Sequence, residues 1–289
     1  MKFRTEIDID HRHKGEISLD QSLIMLGSCF TTNIGEKLLR CGFDVSVNPF
    51  GTLYNPLSIE HSISNAISLR NYTEKDLVTD PQGICHCLDF HSAFSSDNPE
   101  TVIMRANQAI HDCHEKIKAC HWLIITLGTS YVYTWKANGE VVANCHKLHP
   151  DDFERILMSP SEVEASLDRL IKSVRSVNND AKFIFTVSPI RHKADGLHAN
   201  QISKAGLLLA IDHIKDKHDN VIYFPAYEIM MDDLRDYRFY DEDMVHPSLV
   251  AIKYIYAMFT DMFMSDKTIN QCSANAKAAL RLLHRPIVK

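Results

Sequence analysis

Short apolar runs that alternate with helical patterns constrain the fold of this 289-residue chain more than any other feature. Several of the runs are continuously apolar, which is typical of parallel strands covered on both faces. The runs occupy residues 22–26, 43–47, 122–127, 183–187 and 221–224. Helical patterns occupy residues 31–40, 99–119, 159–177, 200–218 and 247–263. This alternation predicts an α/β fold with a five-stranded parallel sheet in the order 2-1-3-4-5.

Two insertions interrupt the alternation. One covers residues 52–98, between the second strand and the next predicted helix. The other covers residues 131–145, where two β-prone runs flank Asn138-Gly139, a strong signal for a hairpin. Because there is no repeat and no linker, we expect one domain over residues 1–289, with a core of about residues 20–263 and a C-terminal helical extension over 264–289.

Composition and charge exclude several classes of function. The net charge is −6 and no basic run is present, so we expect no nucleic-acid partner. No apolar run approaches the roughly 18 residues that span a bilayer, and the N-terminus lacks the apolar segment of a signal peptide, so we expect no membrane partner and a cytoplasmic location. The eight cysteines are scattered, which favours reduced thiols over a disulfide framework.

Small and polar residues follow four of the predicted strands. They are Gly27-Ser28-Cys29, residues 48–52, Gly128-Thr129-Ser130 and residues 188–192. In an open parallel sheet, ligands bind outside the carboxyl ends of the strands. Asp243 lies three residues before His246, just ahead of the last predicted sheet-covering helix. The repetition along the chain predicts a site at one edge of the sheet.

These motifs resemble the SGNH (GDSL-like) hydrolase superfamily and, within it, the GSCFA-domain family. The resemblance rests on "LGSCFTTNIG", "NPFGTLYNP", "TLGTSYVY", "NCHK", "TVSPIRHKADG" and "LRDYRFYDEDMVHPS". It implies a flavodoxin-like three-layer sandwich and a hydrolase or acyltransferase that acts on ester bonds through an acyl-enzyme. The implied substrate is a small-molecule ester or an acylated carbohydrate, and no cofactor is implied.

Registering the superfamily pattern on this chain assigns the nucleophile. The nucleophile follows the glycine by two residues, which selects Cys29, whereas Ser28 occupies the position of an aspartate and is the alternative nucleophile. At a helix N-terminus the positive end of the dipole favours a thiolate. His246 would accept the proton while Asp243 orients the imidazole. We therefore expect the Cys29 sulfur and an imidazole nitrogen of His246 to lie within about 4 Å.

The expected oxyanion and substrate contacts depart from the superfamily pattern at one point. Ser130 stands two residues after Gly128, where the pattern has an asparagine. The backbone N–H groups of Cys29 and Gly51, and the amide of Asn55, are the other candidate donors. His146 and His192 are candidates for lining the pocket, with Lys147 or Arg191 beside them to bind an anionic group. The alternative for each histidine is a hydrogen-bonded loop residue.

Two other functions compete with an acyl-transfer enzyme. The first is a non-catalytic module that binds a small molecule or carbohydrate in the same crevice, which the missing asparagine favours. The second is a zinc-binding protein centred on Cys85 and Cys87 in "CHCLDFH". The Cys-x-Cys spacing differs from the usual pair of structural zinc sites, so we expect no metal site there.

Overall fold

A parallel sheet of five strands forms the centre of the computed structural model, which describes residues 4–283. The strands of this sheet are β1 (Ser22–Gly27), β2 (Asp44–Val47), β5 (Trp122–Leu127), β9 (Lys182–Val187) and β10 (Val221–Tyr223). Their order is β10-β9-β5-β1-β2, and every neighbouring pair is parallel. Counted along the chain, this order is 2-1-3-4-5, so the predicted fold class and strand order are confirmed.

Helices connect these strands and cover both faces of the sheet. The longer helices are α1 (Cys29–Cys41), α2 (Pro56–Ile67), α3 (Pro99–Ala119), α4 (Pro160–Val177), α5 (Leu197–Lys217), α7 (Leu249–Phe263) and α8 (Asp266–Leu283). A short helix, α6 (Ala226–Glu228), continues into a π-helical turn at Ile229–Asp233. Single 3₁₀ turns lie at His11–His13, Glu74–Asp76, Ser92–Phe94, Pro150–Asp152, Lys193–Asp195 and Tyr237–Phe239.

Two separate hydrophobic clusters show how the sheet is covered. Alternate residues of β1 point to opposite faces: Ile24 and Leu26 pack with α2 to α5, whereas Leu23 and Met25 pack with α1 and α7. The same alternation holds in β5 and β9. Burial on both faces explains why the strands are continuously apolar. The result is the three-layer arrangement that the sequence resemblance implies.

The two insertions contain more regular structure than the sequence pattern predicted. Helix α2 lies in the first insertion, and its start has an N-cap at Asn55 followed by Pro56. The same insertion forms an antiparallel pair of β3 (Leu77–Thr79) and β4 (Cys85–Cys87). In the second, β6 (Tyr131–Trp135) and β7 (Val141–Val142) form the predicted antiparallel hairpin. An additional strand, β8 (Phe153–Leu157), pairs with the other edge of β6.

The C-terminal part of the chain is helical as far as it is described. Helix α8 contacts α1, and the Asn275 amide donates a hydrogen bond of 2.7 Å to the carbonyl of Cys41. Residues 1–3 and 284–289 of the expected single domain lie outside the described residues. None of the helices within residues 4–283 combines the length and the hydrophobicity needed to cross a lipid bilayer.

Gly27 ends β1 in a conformation that a larger residue does not tolerate. Its φ is +136°, and an added Cβ would lie 2.2 Å from the carbonyl oxygen of Thr126 on the neighbouring strand. Both atoms belong to the central sheet, so neither moves away cheaply. We expect Gly27→Ala to lower the free energy of unfolding by more than about 2 kcal/mol.

The matched control is Gly139→Ala at the hairpin turn. Gly139 also has a positive φ, +75°, but an added Cβ meets nothing within 4 Å. This change carries only the cost of a left-handed alanine, about 1 kcal/mol. Urea unfolding of both variants measures the difference, and equal losses at the two positions would contradict a steric requirement at Gly27.

Candidate active site

The carboxyl ends of β1, β5 and β9 open into a cavity of about 460 Å³. Six of the residues predicted from the sequence line it: Ser28, Cys29, Asn55, Arg191, His192 and His246. Other walls come from the segment before α2, the turn after β5 and the strands β6 and β8, with Tyr54, Thr129, Tyr131, Tyr133 and Arg155. The cavity therefore contains the two side chains that the sequence pairs as nucleophile and base.

Ser28 and Cys29 have different roles at the start of α1. Ser28 is the N-cap, and its Oγ accepts a hydrogen bond from the N–H of Phe30 at 3.3 Å. The same hydroxyl donates to Ser188 Oγ at 3.0 Å and is only 1% exposed. Cys29 is the first helical residue, and its thiol is partly exposed. The geometry thus buries the hydroxyl in structural contacts and leaves the thiol in the cavity.

Tyr54, which the sequence analysis missed, contacts the thiol. Its hydroxyl lies 3.5 Å from Cys29 Sγ, and its ring meets that of His192 edge-on with centroids 5.9 Å apart. The Tyr54 carbonyl accepts hydrogen bonds from the N–H groups of Gly128 and Thr129, at 2.7 and 3.0 Å. Burial, and then the neighbouring Cys29, raises the pKa of the Tyr54 hydroxyl. The phenol is therefore protonated at neutral pH and able to donate to sulfur.

Asp243 and His246 form a pair on the loop before α7. The imidazole Nδ1 lies 2.5 Å from Asp243 Oδ2, while Asp243 Oδ1 accepts from the N–H groups of Val245 and His246. These backbone bonds, together with the imidazole, lower the pKa of Asp243 to about 2. A charged carboxylate at Nδ1 fixes the tautomer with its lone pair on Nε2. Nε2 makes no hydrogen bond within residues 4–283.

No hydrogen bond joins Cys29 to His246 in the described part of the chain. The thiol contacts Tyr54 instead, although both side chains line the same cavity. The imidazole is about half exposed, at 46% of its side-chain surface. Since catalytic hydrogen bonds are often formed only once substrate is bound, the expected separation of about 4 Å stays a prediction.

Two N–H donors belong to residues that line the cavity and have no acceptor within residues 4–283. Asn55 is the N-cap of α2: its Oδ1 accepts from the Ser58 N–H at 2.8 Å, whereas its Nδ2 makes no hydrogen bond to any described residue. The Cys29 N–H is likewise without an acceptor in residues 4–283, because the first N–H groups of a helix have no partner in the helix. Asn55 is only 5% exposed, so its amide is held by packing.

Three of the residues expected to contact the oxyanion or the substrate, Gly51, Gly128 and Ser130, are not among the residues that line the cavity. Ser130 is fully buried, and its hydroxyl donates to the carbonyl and Oγ of Ser203 at 3.1 Å each. The Gly51 N–H donates to the Asn48 carbonyl at 2.8 Å, closing a turn. Gly128 donates its N–H to Tyr54. The expectation that these groups contact the oxyanion was wrong, because each is already used within the fold.

The two candidate histidines differ in placement. His146 lies outside the cavity, where its ring contacts that of His86 with centroids 4.6 Å apart and a tilt of 33°, and it is hydrogen-bonded to the Cys87 carbonyl. The expectation that it lines the pocket was therefore wrong, since burial in the insertion engages its ring and lowers its pKa to about 4. His192 does line the cavity. Burial, then Lys204, lowers the pKa of His192 to about 4, so it is neutral at neutral pH.

The cysteines of the zinc alternative are buried in β4. Burial raises the pKa of Cys87 to about 12, and Cys85 contacts the Thr79 hydroxyl at 3.6 Å. The intervening His86 bonds to Ser95 and Asp80. Within residues 4–283 no three histidine, cysteine or acidic side chains come together as metal ligands. The geometry gives the zinc-binding interpretation no support.

A buried lysine beneath the cavity was also missed by the sequence analysis. Lys204 lies on α5, and its Nζ donates hydrogen bonds to the carbonyls of Gly128 and Ser188, at 2.6 and 2.7 Å. It is 1% exposed and makes no ion pair within the described residues. Burial, and then the Arg191 guanidinium, lowers the pKa of Lys204 to about 7. Its position in the apolar stripe with Leu207 and Ile211 was the available signal.

The fold and the strand-end cavity define a flavodoxin-like α/β protein with a partly exposed cysteine thiol at the first strand–helix turn. Residues 22–259 match the GSCFA family, and the chain belongs to that family. No curated protein matches the chain.

Several solved structures are similar in fold. A family 3 carbohydrate esterase from Clostridium thermocellum is 12% identical, with a TM-score of 0.41 over 89% of this chain and 98% of that one. A family 3 carbohydrate esterase from Talaromyces cellulolyticus is 9% identical, with a TM-score of 0.39 over 88% and 99%. An acetyl xylan esterase from Butyrivibrio proteoclasticus is 10% identical, with a TM-score of 0.41 over 88% and 66%.

The buried Lys204 makes the stability of the protein depend on pH. Its folded pKa of about 7 lies below the 10.5 of an exposed lysine, so between these values the unfolded chain binds one more proton than the folded chain. The contribution of Lys204 to the free energy of unfolding therefore rises with pH. We expect the unfolding free energy of wild type, measured relative to Lys204→Met, to rise between pH 7 and 9 by up to about 1.4 kcal/mol per unit.

Urea titrations across this pH range measure that difference. Lys215→Met is the matched control, because Lys215 lies on the same helix and is exposed. Its difference from wild type is expected to show no such rise. A pH-independent difference for Lys204→Met would show that the ammonium is retained in the fold up to pH 9.

Proposed function

We propose that this protein is an ester hydrolase or acyltransferase that uses Cys29 as its nucleophile, with His246 as base and Asp243 as the residue that orients it. The observation that carries the proposal is one shared cavity. It contains a partly exposed thiol at a helix N-terminus and an imidazole whose Nδ1 is bonded to a carboxylate. This combination activates a nucleophile for acyl transfer.

The proposed reaction proceeds in two halves. His246 Nε2 accepts the thiol proton, and the thiolate of Cys29 attacks the ester carbonyl. The N–H groups of Cys29 and Asn55 stabilise the resulting oxyanion. The intermediate expels the alcohol oxygen, which takes the proton from His246 and leaves a thioester on Cys29. Water or a second alcohol then gives its proton to His246, attacks the thioester and releases the acyl product with the free thiol.

Ser28 is the alternative nucleophile, and its surroundings argue against it. One lone pair of its hydroxyl oxygen accepts from the Phe30 N–H, and its proton is donated to Ser188 Oγ. A nucleophilic Ser28 would have to give up the N-cap of α1, which typically contributes about 0.5–2 kcal/mol. Cys29 reaches substrate by leaving only its contact with Tyr54.

One observation favours the second candidate function, a binding module. The thiol and His246 are not hydrogen-bonded to each other in the described chain, although they line one cavity. Such a crevice would hold a small molecule or a carbohydrate without reacting with it. Turnover and thiol reactivity distinguish the two functions.

Variants of the first turn test the nucleophile. We expect Cys29→Ala to reduce kcat for a short-chain 4-nitrophenyl ester by at least about 10³-fold, because no acyl-enzyme forms. Ser28→Ala is expected to retain turnover while losing about 1 kcal/mol of stability with the N-cap. The measurements are ester hydrolysis and urea unfolding of both variants.

The alkylation rate of Cys29 tests the same site independently of turnover. Cys29 is expected to react with iodoacetamide faster than Cys145, the other partly exposed thiol, because burial raises the pKa of Cys145 to about 11. Loss of turnover in Ser28→Ala alone would move the nucleophile to Ser28. Slow labelling of Cys29, combined with no hydrolysis of any ester or thioester by wild type, would favour the binding module.

Asn55→Ser separates the oxyanion role of Asn55 from its capping role. Serine is an equally good N-cap, so stability is expected to change by less than about 0.5 kcal/mol. Loss of the amide donor is expected to lower kcat by about 10²–10³-fold with little change in KM. The control is Asn98→Ser at the N-cap of α3, which lies outside the cavity and should leave kcat unchanged. Equal kcat for both variants would remove Asn55 from the mechanism.

A further inference from the structure

Positive side chains outnumber negative ones around the cavity. Arg155, Arg191 and Lys193 line it, whereas Asp195 is the only carboxylate among its lining residues. Arg155 forms an ion pair with Asp195, and its guanidinium lies 3.6 Å from the centroid of the Tyr131 ring. This pair is neutral overall. The uncompensated charge of the cavity wall therefore belongs to Arg191 and Lys193.

Neither of these two cations has an acidic partner in the described chain. Arg191 donates to the amide oxygen of Gln201 at 2.9 Å and to the thioether sulfur of Met231 at 2.8 Å, which are uncharged acceptors. Lys193 donates to the backbone carbonyl of Asp243 at 3.3 Å. The guanidinium has five N–H donors and prefers planar, charged acceptors, so uncharged partners leave much of its capacity unused.

The other charged groups nearby reduce this excess but do not cancel it. The Asp243 carboxylate, hydrogen-bonded to His246 and to two backbone N–H groups, keeps its negative charge and offsets one of the two cations, which leaves one positive charge in excess. His192 is uncharged at neutral pH, and Lys204 beneath the cavity brings no negative charge. The chain as a whole has a net charge of −6. A cavity of net positive charge on a protein of net negative charge concentrates anionic ligands at this site.

We infer that the ester handled by this site carries an anionic group, a carboxylate or a phosphate, which binds to Arg191 and Lys193 while the ester carbonyl lies at Cys29. This inference rests on the proposed function and defines its substrate class. Both cations come from the loop between β9 and α5, on either side of His192. The anionic group is thereby held beside the wall that contains His192 and His246.

Alkylation of Cys29 by two reagents of similar size measures the charge of the cavity without requiring turnover. Iodoacetate is anionic and iodoacetamide is neutral. Mass spectrometry at low ionic strength gives the rate of each reagent at Cys29. The rate with iodoacetate divided by the rate with iodoacetamide is expected to be higher at Cys29 than for 2-mercaptoethanol, a neutral free thiol. Salt should lower this ratio. Arg191→Gln and Lys193→Gln should each reduce it by about 5-fold.

The control for these variants is Lys118→Gln, which removes an exposed charge outside the cavity and should leave the ratio unchanged. Lys193 is exposed, so its variant is expected to fold even where Arg191→Gln does not. Thermal unfolding tests anion binding without any reaction at Cys29. Succinate or inorganic phosphate should raise the melting temperature of wild type more than that of Lys193→Gln. The stronger of the two anions identifies the carboxylate or the phosphate. A wild-type ratio equal to that of 2-mercaptoethanol, or no stabilisation by either anion, would overturn the inference.

Hydrolysis of paired anionic and neutral esters tests whether the positive charge of the cavity selects the substrate. We expect a higher kcat/KM for 4-acetoxybenzoate than for its methyl ester, or for phenyl hydrogen succinate than for phenyl butyrate, and loss of that preference in Arg191→Gln. Turnover without preference for either anionic ester would overturn the inference and leave the hydrolase intact. An elevated alkylation ratio without turnover of any ester would support the anionic site and reject the proposed enzyme.

Discussion

The amino group of Lys204 connects the two central turns on which the candidate site is built. Its hydrogen bonds to the carbonyls of Gly128 and Ser188 join the ends of β5 and β9. Ser188 in turn accepts from Ser28, next to the proposed nucleophile, and Gly128 donates to the carbonyl of Tyr54. Burying an amine without an acidic partner is costly, and perturbed ionisable groups of this kind concentrate at functional sites. Lys204 is a single donor that reaches the carbonyls at the ends of both strands and so holds the two turns together.

The sheet was predictable because strands buried on both faces are continuously apolar in the sequence. These apolar runs and the capped helices between them predicted the strands, their order and the whole of α3. The errors arose where the signal was weaker or overlooked. Helix α1 starts at Cys29 instead of residue 31 because Ser28 caps it. Strand β8 was missed since most of its residues are exposed and little of it joins the core. Helix α2 had a clear start at Asn55-Pro56, which the interpretation as an insertion obscured.

The site was less predictable, because a motif fixes which turn faces the cavity but not which atoms of that turn are free. Ser130 and Gly51 belong to the expected turns, yet their donors are used inside the fold. Tyr54 reaches the thiol only because its backbone is held by the turn after β5, a contact between segments more than seventy residues apart. Partners at such sequence distance leave no local pattern, so they become visible only in three dimensions.

The positive cavity and the proposed thiolate place a requirement on the substrate. A thiolate at Cys29 repels an anionic group, so the two negative charges must bind at different places. The N-terminus of α1 stabilises a thiolate at Cys29. Arg191 and Lys193 belong to a different segment of the wall, the loop between β9 and α5. A spacer must then separate the ester carbonyl from the anionic group. Acylation removes the negative charge from sulfur and with it this repulsion. An anionic group on the acyl half is therefore held more tightly in the acyl-enzyme, whereas one on the alcohol half departs with the first product.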